Sequence, residues 1–290
     1  AALNAADWHL VRGEPFPVRM MLGGLQKPKP SILGEDMAGR VESVGNAVTL
    51  FRPGDAVFGD LSNCGRGAFA EYVAVPESAL VAKPAKITFE AAAATPMAAV
   101  TALQGLRNIG KIQAGQKVLV NGASGGVGSF AVQIAKALGA EVTAVASTRK
   151  LDGLRALGAD HVIDYTREDF TRNGQRYDLI LAANGNRSIS DYQRALSPNG
   201  VYVMTGGAMS QLMQAMLLGP LMSMTGDRKM KSLMAKPNTA DLAFVAGLLE
   251  AGKVKPVIDK RYPLNAVPEA LAYLEQGHAA GKVVISVQGD

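Results

Sequence analysis

Asn121-Gly122-Ala123-Ser124-Gly125-Gly126-Val127-Gly128 decides how this chain folds. An apolar run, 118–120, precedes it, and a helical pattern, 129–138, follows it. The order is strand, glycine-rich turn, helix. Small residues in such a turn let the backbone approach a pyrophosphate, and the helix N-terminus turns unpaired N–H groups toward it. The spacing matches the dinucleotide fingerprint, with Ala123 in the place of the first glycine and then Gly125 and Gly128. Ser124, Gly125, Gly126, Val127 and Gly128 are therefore expected to hold a dinucleotide.

Strand and helix patterns alternate beyond the fingerprint. Val127, Phe130, Ala131, Ile134, Ala135 and Leu138 form the apolar face of its helix, with Gly139 as the C-terminal cap. Strands are predicted at 141–146, 161–165, 178–182 and 201–204, and Leu151, Leu154 and Leu157 line a helix closed by Gly158. Short apolar strands joined by helices imply a parallel sheet covered on both faces. Residues 1–89 read differently. They are rich in Gly and Pro, with short strand patterns at 38–44, 56–58 and 69–75, and suit a small β-barrel-like domain. An Ala-rich helical pattern covers 89–106, a capped helix covers 239–251, and a last strand covers 282–287.

Length and composition, 290 residues and 48% hydrophobic, suffice for two domains. The single cysteine, Cys64, excludes an intrachain disulfide framework and a four-cysteine zinc site; it reads as an ordinary loop or core residue. The net charge of +5 comes from scattered short clusters, Lys27/Lys29, Arg149-Lys150 and Arg228-Lys229/Lys231. A nucleic-acid face needs a denser stripe, so no nucleic-acid partner is expected. No apolar run reaches the ~18 residues of a membrane span. Eight of the twelve methionines fall within 204–235: Met204, Met209, Met213, Met216, Met222, Met224, Met230 and Met234. Such a cluster suits either a soft wall for a bulky apolar substrate or plain helix packing.

The second strand of the alternating half ends Val145-Ala146-Ser147-Thr148-Arg149-Lys150. NAD-binding folds place a carboxylate there, but here none appears before Asp152. Ser147, Arg149 and Lys150 instead suit a 2′-phosphate, which favours NADP(H).

Gly115-Gln116, Leu119, Ala123-Ser124-Gly125-Gly126, Gly128, Gln133 and Lys136 together resemble the quinone oxidoreductase/zeta-crystallin signature of the medium-chain dehydrogenase/reductase superfamily. Leu3-Asn4-Ala5-Ala6-Asp7, Gly34-Glu35-Asp36, Phe51-Arg52-Pro53-Gly54-Asp55 and Gly281-Lys282-Val283-Val284-Ile285 resemble further family segments, so the likeness spans nearly the whole chain. It implies an α/β fold: a Rossmann-type doubly wound parallel sheet over 90–256, plus a smaller, discontinuous GroES-like β-barrel domain from 1–89 and 257–290. The family's opening strands would precede Ala1, as would any targeting segment. A cytoplasmic location is expected, with organellar targeting left open.

The same resemblance places Thr101 beside the nicotinamide, Tyr165 near the 2′-phosphate, and Asn184, Gly206, His278 and Lys282 at the cofactor. Asn4 and Asp7 fall at the floor of the catalytic site. No metal is expected. Glu35 stands where zinc-dependent relatives carry histidine, the Asn4 segment stands where they carry the first cysteine, and His9, His161 and His278 show no ligand spacing. The implied activity is hydride transfer from NADPH to a quinone or to the β-carbon of an enone, with no obligatory general acid. The implied partners are a small hydrophobic electrophile and a second copy of the chain in a homodimer. The alternatives are an enoyl-thioester reductase and a non-catalytic NADPH-binding or RNA-binding relative.

Overall fold

The computed structural model describes residues 1–14, 32–207 and 209–287. Lys27 and Lys29 lie outside the described residues. The chain divides into two compact units. Residues 1–98, 237–251 and 256–290 form the first, and 99–236 with 252–255 form the second. The sequence reading had assigned 90–98 and 237–251 to the dinucleotide-binding half; by contacts they group with the first unit.

The first unit opens with β1 (Ala2–Leu3), helix α1 (Ala5–Arg12), β2 (Asp36–Arg40), β3 (Ala56–Asp60) and β4 (Leu80–Ala82), followed by α2 (Phe89–Ala93). The chain continues through α3 (Pro96–Leu103) into a π turn, Gln104–Ile109. The single helix expected over 89–106 breaks at Pro96, whose ring and missing N–H prevent an α-helix from running through it.

The second unit holds β5 (Lys117–Asn121), α4 (Gly126–Ala137), β6 (Glu141–Ala146), α5 (Leu151–Ala156), β7 (His161–Asp164), β8 (Tyr177–Ala182), α6 (Ile189–Ala195), β9 (Leu196–Met204), α7 (Met209–Thr225) and β10 (Lys229–Ser232). Helix α8 (Thr239–Glu250), β11 (Ile258–Pro263), α9 (Val267–Glu275) and β12 (Lys282–Ser286) then complete the first unit.

The second unit's sheet has the order β10-β9-β8-β5-β6-β7, and every pair is parallel. This is the doubly wound order, and it reverses between β5 and β8. Both faces are buried, which is why β5 and β8 read as continuous apolar runs rather than alternating ones. Phe170, Tyr192 and Tyr202 pack as tilted rings in its core, with centroids 5.8 and 4.6 Å apart. The first unit's sheet is mixed, in the order β11-β12-β1-β2-β3-β4. Leu3, Ala270, Val283 and Ile285 form a small core beside it.

Residues 69–75 do not form the expected strand. Phe69 donates one backbone bond to Leu33, but no ladder follows among the described residues, and Tyr72 is exposed. A turn with Gly65, Arg66 and Gly67 all at positive φ precedes it.

Candidate active site

Each unit gathers its own set of functional side chains. In the second unit they collect at the C-terminal edge of the parallel sheet, where ligands of such sheets bind. The glycine-rich turn follows β5, Ser147 follows β6, Tyr165 follows β7, Asn184 follows β8 and Gly206 follows β9. Asn121, at the end of β5, ties the switch point together. Its carbonyl accepts from the N–H groups of Ala183 (2.9 Å) and Asn184 (3.3 Å). Its side-chain amide donates to the Tyr192 hydroxyl (2.7 Å) and the Asn184 carbonyl (3.3 Å). The sequence reading passed over Asn121, although a buried polar residue ending an apolar strand was the signal available.

The glycines divide the work of the turn. Gly122 has φ +77, and a Cβ there would lie 2.6 Å from the Asn184 Cβ. At Gly128 a Cβ would press on the Gly122 carbonyl oxygen and come within 2.7 Å of the Ala123 Cα. Both positions are therefore closed by the protein itself. Gly125 is different: it has ordinary extended backbone, and its Cβ would meet nothing nearer than 3.6 Å. It is the N-cap of α4, with no side-chain cap and no acidic residue in the first turn. The helix N-terminus thus keeps its positive end uncompensated and approachable at Gly125, which fits a pyrophosphate. Thr101 lies in α3 and is almost fully buried.

After β6, Ser147 is half-buried, Arg149 is exposed and Lys150 is half-buried. A carboxylate does stand nearby, on β7 rather than β6. Asp164 pairs in register with Ala146 and accepts the Thr148 hydroxyl. It also accepts the Thr166 N–H (3.0 Å) and hydroxyl (2.7 Å) and faces Arg167 at 3.6 Å. Those hydrogen bonds, Thr148 first, hold its carboxyl below the usual range, so its charge is offset locally. Tyr165 is exposed, and its N–H bonds the Ala146 carbonyl at 3.2 Å.

In the first unit, Asn4 precedes α1, and its N–H donates to Asp7 Oδ2 at 2.7 Å. The Asn4 carboxamide turns away from the helix. Its oxygen accepts from the Lys282 ammonium, and its nitrogen donates to Asp36 Oδ2 at 2.9 Å. Lys282 Nζ also reaches Asp36 Oδ2 at 3.0 Å, and Asp36 Oδ1 accepts the Met97 N–H at the start of α3 (2.9 Å). Lys282 and Asp36 are 3% and 0% exposed as side chains. The ammonium of Lys282, expected at the cofactor, is held in a buried ring with Asn4 and Asp36. Asn4 keeps one amide N–H for another acceptor. His278 is exposed in the turn before β12.

Burial raises three further carboxyl groups of this unit. Burial pushes Asp7 up to about 8, aided by the charge of Glu35. Burial pushes Glu35 up to about 7, against the pull of Arg66, whose guanidinium bonds Glu35 Oε1 at 2.9 Å. Burial and Asp36 push Asp60 up to about 6. Asp7 Oδ1 and Glu35 Oε2 are buried without a partner among the described residues, which is the physical sense of their proton affinity. Glu35, Asp36 and Arg66 were not assigned roles from the sequence, although the Gly34-Glu35-Asp36 motif marked the place.

A folded-state pKa above the unfolded one means that folding takes up a proton. Asp7 therefore adds stability that is fully present below the unfolded carboxyl range of about 4. That contribution is lost as pH rises through its folded value of about 8. Asp7→Asn keeps an acceptor for the Asn4 N–H and removes the titration. Thermal unfolding from pH 6 to 9 is expected to fall less steeply in the variant than in the parent; parallel curves would remove the assignment.

Among the described residues no group of three or more His, Cys, Asp and Glu side chains is arranged to hold a metal ion. The lone thiol, Cys64, is raised by burial and by Asp60, and donates weakly to the Leu61 carbonyl.

The family described as alcohol dehydrogenase GroES-like domain matches residues 1–85, and the family described as zinc-binding dehydrogenase matches residues 157–285. A chloroplast envelope quinone oxidoreductase homolog of Arabidopsis thaliana is 35% identical, covering 98% of this chain and 86% of its own. The chain belongs to the zinc-independent quinone oxidoreductase group of the medium-chain dehydrogenase/reductase superfamily. An NADPH-dependent alkenal/one oxidoreductase of the same plant is also 35% identical, over 98% of this chain and 69% of its own. The structure of the quinone oxidoreductase from Coxiella burnetii matches with a TM-score of 0.86 and 29% identity, over 99% of this chain and 88% of that one. The expected Rossmann-type and GroES-like architecture is that of this family.

Proposed function

We propose that this protein is an NADPH-dependent, zinc-independent reductase of quinones or α,β-unsaturated carbonyls. The observation that carries the cofactor reading is the C-terminal edge of the parallel sheet. Gly125 leaves open space at an uncapped helix N-terminus, and the loop after β6 offers Ser147, Arg149 and Lys150 with no carboxylate of its own. When bound, the reduced nicotinamide supplies the hydride. The N–H groups at the start of α4 hold the pyrophosphate. Arg149 and Lys150 bind the 2′-phosphate by charge-assisted bonds, with Tyr165 beside them. Thr101, Asn184 and Gly206 complete the cofactor's surroundings.

In the first unit, Asn4 is oriented by Lys282 and Asp36, and its remaining N–H is the group offered to a substrate carbonyl oxygen. Asp7 holds a proton at neutral pH and positions the Asn4 backbone. The buried Lys282 ammonium already neutralises Asp36, the carboxylate at the centre of this cluster, which leaves little charge to attract a divalent cation. The proposed location is the cytoplasm, with the chloroplast of the plant relatives as its alternative. The proposal includes the homodimer that the resemblance implies.

The test is NADPH oxidation with a panel of quinones, enones, an enoyl thioester and small alcohols or their aldehydes. Quinones or enones are expected to lead, with turnover unchanged by chelators. A preference for the thioester moves the substrate class, and activity lost on chelation overturns the metal-free reading. In the same assay Arg149→Ala or Lys150→Ala is expected to weaken NADPH binding by about 1–3 kcal/mol and leave NADH unaffected. Equal losses for both cofactors would remove the 2′-phosphate assignment.

A further inference from the structure

Tyr192, on α6, is fully buried, and its ring packs against Phe170 and Tyr202. The same core takes in Met204, Met222 and Met230 of the Met-rich stretch. A phenylalanine would fill that place equally well. The hydroxyl is the costly part, since a buried polar group must find partners or lose its hydration for nothing. Here the partners come from the C-terminal edge of the sheet. The oxygen accepts the Asn121 side-chain amide at 2.7 Å. The backbone N–H groups of Asn186 and Arg187, in the loop after β8, and the Gln211 side chain also bear on it.

That loop is held from its other sides as well. The Asn121 amide reaches the Asn184 carbonyl, and the Asn121 carbonyl takes the N–H groups of Ala183 and Asn184. The Gly185 N–H donates to the Gly206 carbonyl at 3.1 Å, and Gly185 forms a parallel bridge with Gly207. A side chain at Gly185 would run into the Gln211 amide, which is itself fixed on the Tyr202 hydroxyl at 2.7 Å. We propose that Tyr192 is a positioning residue for the dinucleotide: its hydroxyl fixes the 183–187 loop, so that Asn184 and Gly206 stand where the cofactor meets the ends of β8 and β9. The inference rests on the cofactor reading above. It goes beyond that reading by giving a role in cofactor affinity to a core side chain that acts only through the loop. The rigid ring is what makes the hydroxyl an anchor, because it leaves the oxygen one place to be.

The experiment is NADPH titration and steady-state kinetics with a quinone on Tyr192→Phe, with Tyr177→Phe as the control. Phenylalanine keeps the ring and removes the acceptor of the Asn121 amide. Tyr177 is buried too, but it starts β8 at the opposite edge of the sheet, and its hydroxyl faces Thr143 and Asn173. Tyr192→Phe is expected to raise the Kd and KM for NADPH about 10-fold, the worth of one hydrogen bond, with the quinone KM unchanged. Tyr177→Phe is expected to leave both constants at the parent's values, even where its melting temperature falls as far. Asn121→Ala deletes the amide and keeps the hydroxyl. It is expected to raise the NADPH constants by a smaller factor, and the double variant to lose less than the two single losses combined. If Tyr192→Phe does not fold, Asn121→Ala decides in its place. Unchanged NADPH constants in the folded variant overturn the proposal, as does an equal loss in Tyr177→Phe. A parent protein that does not bind NADPH overturns the cofactor reading itself, and this proposal with it.

Discussion

Gly128→Val is expected to unfold the second unit's nucleotide edge, whereas Gly125→Val folds normally and loses its cofactor. A side chain at 128 runs into the Gly122 carbonyl and the Ala123 Cα, both backbone atoms of the same tight turn. Neither can move without dragging β5, whose end is fixed by the hydrogen bonds of Asn121 to Ala183 and Asn184. Overpacking against rigid neighbours costs about 1–3 kcal/mol, and here backbone meets backbone, so the upper end or more is expected. Gly125 has an ordinary φ of −78° and open space before it, so valine fits the fold there. It would occupy the approach of a pyrophosphate to the α4 N-terminus. NADPH affinity is expected to fall at least ~100-fold, about 2.7 kcal/mol, with the melting temperature close to the parent's. Calorimetry of unfolding and NADPH titration on both variants separate the roles. Normal NADPH binding by a folded Gly125→Val protein would take the fingerprint out of the proposal.

The division of labour among these glycines shows what the sequence carried. Strand-turn-helix order and the parallel sheet were legible because burial on both faces leaves β5 and β8 with continuous apolar runs, 118–120 and 179–182. Elements whose cause is tertiary were not. Strand β10, with exposed Lys229, Lys231 and Ser232, has no apolar pattern and exists because β9 offers it a partner. The break at Pro96 was readable, but an alanine-rich flank concealed it. In the first unit the motif positions were visible while the partnerships were not: nothing in the chain says that Lys282 meets Asn4, which lies 278 positions earlier. Asp164 was missed for the same reason, since its relation to Thr148 depends on the register of β6 with β7.

Lys282 yields the second large effect, and one that separates a structural role from a cofactor contact. Removing one member of a buried ion pair leaves the other charge uncompensated and costs about 3–5 kcal/mol. Lys282→Met should therefore destabilise the first unit strongly, because Asp36 is fully buried and keeps only the Met97 and Asn4 hydrogen bonds. Adding Asp36→Asn to Lys282→Met removes the stranded charge. The double variant should recover much of the loss, as paired deletions do when one buried interaction links them. Urea unfolding of the two single variants and the double reads all of this. A Lys282→Met protein as stable as its parent, with weakened NADPH binding alone, would return Lys282 to the cofactor and dissolve the ring that orients Asn4.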